Sequence, residues 1–429
     1  MRTETKLRDV WRSYLGGSFS ILVPLVAILS AFLISGLLIL AWGANPLSAY
    51  AALFSGAFGS PNAFATTLER LTPLVFAGVA VVYGYRGGFF NIGVEGQLYM
   101  GAIAAVWLAI TFPTWPSWLL LPACVIASGI MGMAWVALPA YLKAFRGINE
   151  VLTTLLMNYI AIQYFEWVIR VDHIQEGILL FGDVKPVWTF VNWIGLKDAA
   201  QPYPKSPFLV DATFMPSLKS LLEVEWIKNL LGNLLWYQEL IKVPAFGRMT
   251  LAPVLAILTV AFMYFLMFKT VTGYRGRAVG VNPEAAKFMG INVTRTLFTT
   301  AMISGFLGGL AGGMEVLGTQ HRVIPGFLIN AGFDGIPVAL IGQLHPVGAL
   351  LSATFFGAMR AGSNKMQVIT SVPVAVMYII QALAIMFAIA GTTINIQAKL
   401  KKRRLGKGTD GGAAEAKEMQ AAEGEASHA

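Results

Sequence analysis

The sequence predicts an all-α, polytopic membrane fold, and three observations predict it. Of its 429 residues, 56% are apolar and only 12% are charged, where an ordinary soluble domain carries about 25% charged residues. Apolar stretches of roughly 18 or more residues recur along the chain, each long enough to cross about 30 Å of hydrocarbon as a helix. The basic residues gather beside those stretches. The formal charge of +9 is therefore read as membrane orientation and not as nucleic-acid binding.

Taken in order, residues 1–18 are polar and precede an apolar run too long for a secretory signal, so they are expected as an uncleaved cytoplasmic start. Residues 19–398 form the expected membrane domain. Eight spans are read within it: Phe19 to Trp42, Glu69 to Gly84, Gln97 to Phe112, Trp118 to Leu142, Val151 to Ile169, Leu251 to Phe268, Thr296 to Leu317 and Val374 to Ile394. Arg86, Lys143, Arg146, Lys269, Arg275, Arg277 and Lys399 to Arg404 mark one set of ends, with the basic N-terminus. By the positive-inside rule that face, with both termini, is cytoplasmic.

Shared sidedness requires an even number of crossings. Gly335 to Met359 is also apolar, but Gly342, His345, Pro346 and Gly348 interrupt it. It is expected to enter and leave on the outer side, as a re-entrant hairpin or two short helices; one continuous ninth span is the alternative. Non-helical backbone at depth survives only against protein or a water-filled cavity. Gln343 and His345 in its turn are accordingly candidates for a translocation pathway. Residues 171–249 form an outer segment, in which Leu218 to Val243 can lie on the membrane surface with Trp226 and Trp236 as anchors. Residues 399–429 are a basic stretch followed by a tail expected to be disordered.

The sequence lacks a G-x-x-x-x-G-K-[ST] phosphate loop, an H-E-x-x-H and a G-x-S-x-G. Its four histidines, His173, His321, His345 and His428, are scattered, and the single Cys124 forbids an intrachain disulfide. No catalytic residue, metal or cofactor is expected. Carboxylates within or beside spans are few, namely Glu95, Glu166, Glu315 and Asp334. An ion-coupled carrier or channel, which places titratable groups near mid-membrane, is the rival reading; a membrane enzyme ranks below it.

Residues 270–295 form the most informative soluble loop, with Gly273 to Asn292 reading GYRGRAVGVNPEAAKFMGIN. Asn282 can cap a short helix, Pro283 suits its first position and Glu284 complements the positive end of its dipole. Gly290 can stop it in the left-handed conformation. Such a knob is either a connector or a mechanical contact to a partner.

A second informative stretch is Asn91 to Gln97. Gly93 and Gly96 weaken helix propensity there, while Asn91, Glu95 and Gln97 offer hydrogen bonds to a hydroxyl-rich solute. Otherwise Glu95 pairs with Arg86 at the membrane edge. Asn158 either faces the pathway or makes an interhelical hydrogen bond. Gly305, Gly308, Gly309, Gly312 and Gly313 form a small-residue face whose partner is another span of this chain or a second subunit.

Glu284, Ala285, Ala286 and Gly290 resemble the E-A-A-x-x-x-G loop of permease subunits of ATP-binding-cassette importers. GYRGRAVGVNP is similar to the version in the branched-chain amino acid, ribose and nucleoside group. RGGFFNIGVEGQ (Arg86 to Gln97), GINEVLTTLLMNY (Gly147 to Tyr159) and GFDGIPVALIGQLHP (Gly332 to Pro346) resemble stretches of its nucleoside and simple-sugar branch.

The resemblance implies a permease in the cell membrane that carries nucleosides or a simple sugar. It implies two ATPase subunits, a second permease subunit, identical or homologous, and an extracytoplasmic binding protein as partners. Glu284, Ala285, Ala286 and Gly290 are then the joint to the ATPase, with Arg275 and Arg277 pairing with its carboxylates. The outer segment 171–249 is longer than that pattern leads one to expect.

Overall fold

The computed structural model describes residues 24–172, 194–225, 228, 243–327 and 330–390. The expected start 1–18, the tail 399–429, Trp226, Trp236, His173 and His428 lie outside the described residues. Among the described residues, extended segments pair only at two isolated bridges, Asp172 with Lys197 and Ser217 with Thr250. The rest is helical or irregular, as an all-α membrane protein requires.

In chain order the helices are α1 (Pro24–Ala41), α2 (Pro46–Phe58), α3 (Pro61–Arg86), α4 (Val94–Thr111), α5 (Ser117–Arg146) and α6 (Glu150–Val168). Next come α7 (Leu218–Leu222) and α8 (Ala245–Arg248), both within residues 171–249, then α9 (Ala252–Lys269), α10 (Val271–Val281) and α11 (Pro283–Phe288). The last are α12 (Val293–Glu315), α13 (Gly335–Ile341), α14 (Pro346–Thr370) and α15 (Ala375–Ala390). Each expected span coincides with one of these helices over its described residues. Six of them, α1, α3, α4, α5, α9 and α12 with its continuation to Gln320, are long and apolar enough to cross a membrane.

The chain forms two compact units. The described residues of Met1–Gly36 and Tyr378–Ala429 make one; Leu37–Met377 makes the other. The first presents small residues inward, with Ala27, Ala31, Ala384 and Ala388 buried. In the second, α3 and α4 are central, being 78% buried over their most apolar windows, while α5 and α9 are 33% buried and present their remaining faces outward.

Close packing at the centre depends on the glycines of α12. A side chain at Gly312 would run into the carbonyl of Leu98 on α4, and one at Gly309 into the carbonyl of Ser128 on α5. The small-residue face therefore seats two other helices of this same chain. Such close backbone approach is the favourable term where lipid removes the hydrophobic drive between helices.

Three elements depart from expectation. The helix α2 is new: Asn45 caps it through the amide of Leu47 at 2.9 Å, and Pro46 takes its first position. At 13 residues, or about 20 Å, it falls below the length of a spanning run. Gly273 to Val281 is helical and not loop, because Thr270 caps α10 through the amide of Gly273.

Third, the broken segment does break at Gly342 to His345, where Gln343 and Leu344 both take positive φ near 54°. Its first arm is the short α13 of 7 residues. Its second arm, α14, runs on past Met359 for 25 residues, about 37 Å, so it is no short limb. An ion pair between Asp334 and Arg360 ties the two arms together.

The described part of residues 194–225 also acquires a defined place. Backbone amides of Ser206, Leu209 and Met215 donate to the carbonyls of Val323, His321 and Leu317 at 3.0, 2.9 and 3.0 Å. This strap lies along the far end of α12, where the helix ends in a π turn, Val316–Gln320.

Candidate coupling and pathway site

The knob forms from local rules. The Asn282 side chain accepts from the amide of Ala285 at 3.1 Å, Pro283 opens α11, and Gly290 leaves it at φ +78°. Ala286 is fully buried against the rest of the protein. Outward, the knob shows apolar surface: Phe288 is 91% exposed, Val281 87% and Met289 61%. Glu284 and Ala285 are exposed beside them.

The two flanking arginines part company. Arg275 is exposed and lines a cleft of about 440 Å³ with Gly290, Asn292 and Arg295. Arg277 turns inward, its guanidinium 4.9 Å from the centre of the Phe268 ring.

Behind the knob, α10 rests on the turn after α3. A side chain at Gly280 would strike the carbonyl of Arg86 and the amide of Gly88. Thus α10, which leads directly into the knob, and the Arg86 to Gln97 stretch are in direct backbone contact. Gly88, at φ +82°, turns the chain back along α3, and the amide of Phe89 donates to the carbonyl of Gly84.

The returning segment ends in a dense polar network. Asn91 and Gln97 exchange two hydrogen bonds of 3.0 Å. Asn91 Nδ2 also donates to Ser304 Oγ on α12, and Ser304 Oγ donates to the carbonyl of Ala80 on α3, at 2.9 and 2.7 Å. Because Gly93 offers no side chain at the start of α4, its free amides are met by neighbours. The amide of Gly93 donates to Asn91, and that of Gly96 donates to Asn158 Oδ1 at 2.8 Å. Asn158 Nδ2 completes the tie to the carbonyl of Ile92 at 2.9 Å. Asn158 thus makes the interhelical hydrogen bond.

Glu95 does not pair with Arg86. Its carboxylate accepts the amides of Asn330, Gly332 and Phe333, at 2.9, 2.6 and 3.2 Å. Asn91, Glu95, Gln97 and Asn158 are all buried, at most 1% exposed. Arg86 Nε donates instead to the carbonyl of Leu344 in the broken segment. His345 caps α14 through the amide of Val347 at 3.2 Å and stacks on Phe268 at 5.4 Å.

The structure therefore groups the expected residues into one connected band. Knob, Arg86 turn, amide network, Glu95 clasp and the start of α13 follow one another without a gap. Ser304 and the amides of 330–333 were absent from the sequence reading. Their link to Glu95 and Asn91 spans more than 200 positions, as in the 213 between Asn91 and Ser304, and leaves no local signal. Among the described residues no three His, Cys, Asp or Glu side chains converge as a metal site would.

Residues 63–390 match the model of the family described as branched-chain amino acid transport system / permease component. The chain is 32% identical to a guanosine ABC transporter permease protein of Bacillus subtilis (strain 168), covering 89% of this chain and 97% of that one. It is 29% identical to a nucleoside ABC transporter permease protein of Lactococcus lactis subsp. cremoris (strain MG1363), over 81% and 84% of the two chains. A glucose ABC transporter permease protein of Haloferax volcanii is 30% identical, over 85% and 86%. No solved structure matches the chain. With the family model covering most of its length and a membrane core built around its motifs, the chain belongs to the branched-chain amino acid transport system permease component family.

Proposed function

We propose that this multi-pass permease forms the translocation pathway of an ATP-binding-cassette importer for nucleosides. Two ATPase subunits, a second permease subunit and an extracytoplasmic binding protein complete the assembly. The observation that carries this reading is the knob at Pro283–Phe288: it stands outside every span, exposes Phe288 with the flanking Val281 and Met289, and follows α10, which lies against the Arg86 turn through Gly280. Exposed apolar surface on a polar loop calls for a partner.

Within this reading the sequence, which lacks a phosphate loop, leaves ATP hydrolysis to the partner. Glu284, Ala285, Ala286 and Gly290 form the joint, and Arg275 offers its charge to carboxylates across the cleft. Movement of the joint passes through Gly280 to Arg86 and Gly88. From there it reaches Asn91, Gln97 and Asn158, and through Glu95 the start of α13. Gln343 and His345, at the turn after α13, move with the same body. These six polar residues shape the pathway wall by fixing broken backbone at depth.

A simple sugar is the second reading, favoured by the 30% identity to the glucose permease of Haloferax volcanii. Uptake into proteoliposomes holding the full transporter tests the proposal. Guanosine accumulation that requires ATP in the ATPase compartment is expected. Uptake that continues without ATP and follows a proton or sodium gradient overturns it in favour of an ion-coupled carrier.

A further inference from the structure

Helices α9 and α12 are joined at both ends. At one end the chain runs from Lys269 through α10 and the knob to Val293. At the other, about 34 Å away along the 23 residues of α12, the strap reaches both helices. Its bonds to the carbonyls of Val323, His321 and Leu317 hold it to the end of α12. Ser206 is buried and makes the first of these reciprocal, since its Oγ accepts the amide of Val323 at 3.0 Å. The next residues of the strap grip the start of α9. The amide of Leu251 donates to the carbonyl of Pro216 at 3.0 Å, and the amide of Leu218 donates to the carbonyl of Met249 at 2.7 Å. Met215 and Pro216 are consecutive, so no slack chain separates the two grips.

Between these ends the helices diverge. Helix α9 packs on α3 and α14, whereas α12 packs on α5, α3 and α4. Only α3 is common to both. It also meets α10, where Gly280 leaves room for the carbonyl of Arg86, and α8, where Glu69 lies 3.4 Å from Arg248. The strap, α9, the knob and α12 thus make a closed frame that grips α3 near both of its ends. Two helices joined only at the knob would splay when the knob is pushed, and the push would be lost between them. Closing their far ends with short main-chain hydrogen bonds turns them into one rigid element, the kind of path along which coupling travels.

We propose that the strap is a tie bar: Ser206, Leu209, Met215, Pro216 and Leu218 are positioning residues that hold the far ends of α9 and α12 together, so that force applied at the knob moves both helices and α3 as one body. Helix α3 then carries the movement through the Arg86 turn to Asn91. The inference rests on the importer reading and deepens it, and it gives part of the long segment 171–249 a mechanical duty.

The test uses the complete transporter in proteoliposomes and reads guanosine taken up per ATP hydrolysed, a ratio that loss of folded protein leaves unchanged. A Gly-Ser-Gly-Ser insertion between Met215 and Pro216 keeps every anchor and slackens the tie. It should lower the ratio about fivefold or more while ATP hydrolysis stays within about twofold of the parent. The same insertion between Pro202 and Tyr203, both exposed and ahead of the first anchor, should keep the parent ratio. Ser206→Ala removes one anchor at unchanged chain length and should lower the ratio about twofold.

An unchanged ratio in both the slack insertion and Ser206→Ala overturns the tie bar. Equal loss of ratio from the insertion at Pro202 overturns it too, since slack outside the tie would then matter as much as slack within it. Either result in a transporter whose parent is ATP-driven leaves the importer reading intact. A parent that takes up guanosine without ATP overturns that reading, and the force path with it.

Discussion

Glu95 Oε2 accepts the backbone amide of Gly332 at 2.6 Å, across 237 positions of sequence. The buried carboxylate holds the turn that leads into α13, ahead of Asp334, which makes no side-chain cap of its own. Hydrogen bonds to a charged group contribute about 1.5–3 kcal/mol each. Glu95→Ala frees three amides at once and should destabilise the protein by on the order of 3 kcal/mol or more. Glu95→Gln keeps one acceptor oxygen and should fall between. The denaturation midpoint of the purified transporter in detergent reads both; an alanine variant as stable as the parent would refute the clasp.

Asn91 and Gln97 act as a unit, because each amide offers its donor to the other's acceptor at 3.0 Å. Removing either leaves the second buried and half-satisfied. The single variants Asn91→Ala and Gln97→Ala should each cost about 1–3 kcal/mol. The double variant should cost less than their sum, with a coupling of about 1–2 kcal/mol. A thermodynamic cycle on thermal stability measures it, and strict additivity would show that the pair is incidental.

Local chemistry was legible in the sequence and long-range pairing was not. The knob could be read because Asn282, Pro283 and Gly290 each act on backbone within a few residues, and the structure shows all three acting so. The same Asn-Pro signature stands at Asn45 and Pro46 and marks α2. That signal went unread because the run behind it is short for a span. Glu95 stood out as a carboxylate beside an apolar run, but its partners are backbone amides, which carry no residue identity. The strap along α12 also pairs through main chain, at Ser206, Leu209 and Met215. The glycine face announced close packing without naming α4 and α5 as its partners.

Two glycines separate packing from conformation. At Gly312 an added methyl group meets the Leu98 carbonyl, whereas at Gly290 it meets open space but a φ of +78°. Gly312→Ala forces two central helices apart and should cost about 1–3 kcal/mol of global stability. Gly290→Ala carries a backbone penalty of about 1–2 kcal/mol. The knob absorbs it by local distortion, leaving the global midpoint nearly unchanged. The expected contrast is a lowered midpoint for Gly312→Ala alone, and equal losses at the two positions would contradict it.

The exposed face of the knob allows its mechanical role to be tested apart from folding. Phe288 is 91% exposed, and Glu284 stands beside it on a loop outside the spans, so neither side chain contributes much to the stability of this chain. Phe288→Ser and Glu284→Arg should therefore leave the denaturation midpoint within about 0.5 kcal/mol of the parent. If these side chains seat in the ATPase, both variants should lower solute-stimulated ATP hydrolysis and uptake together, by tenfold or more, because apolar anchors at the centre of an interface contribute about 2 kcal/mol or more. Ala286→Leu offers the converse, since Ala286 is fully buried behind the knob and its enlargement should disturb the knob itself. Normal coupling in Phe288→Ser and Glu284→Arg, measured in the same proteoliposomes, would remove this loop from the path of force.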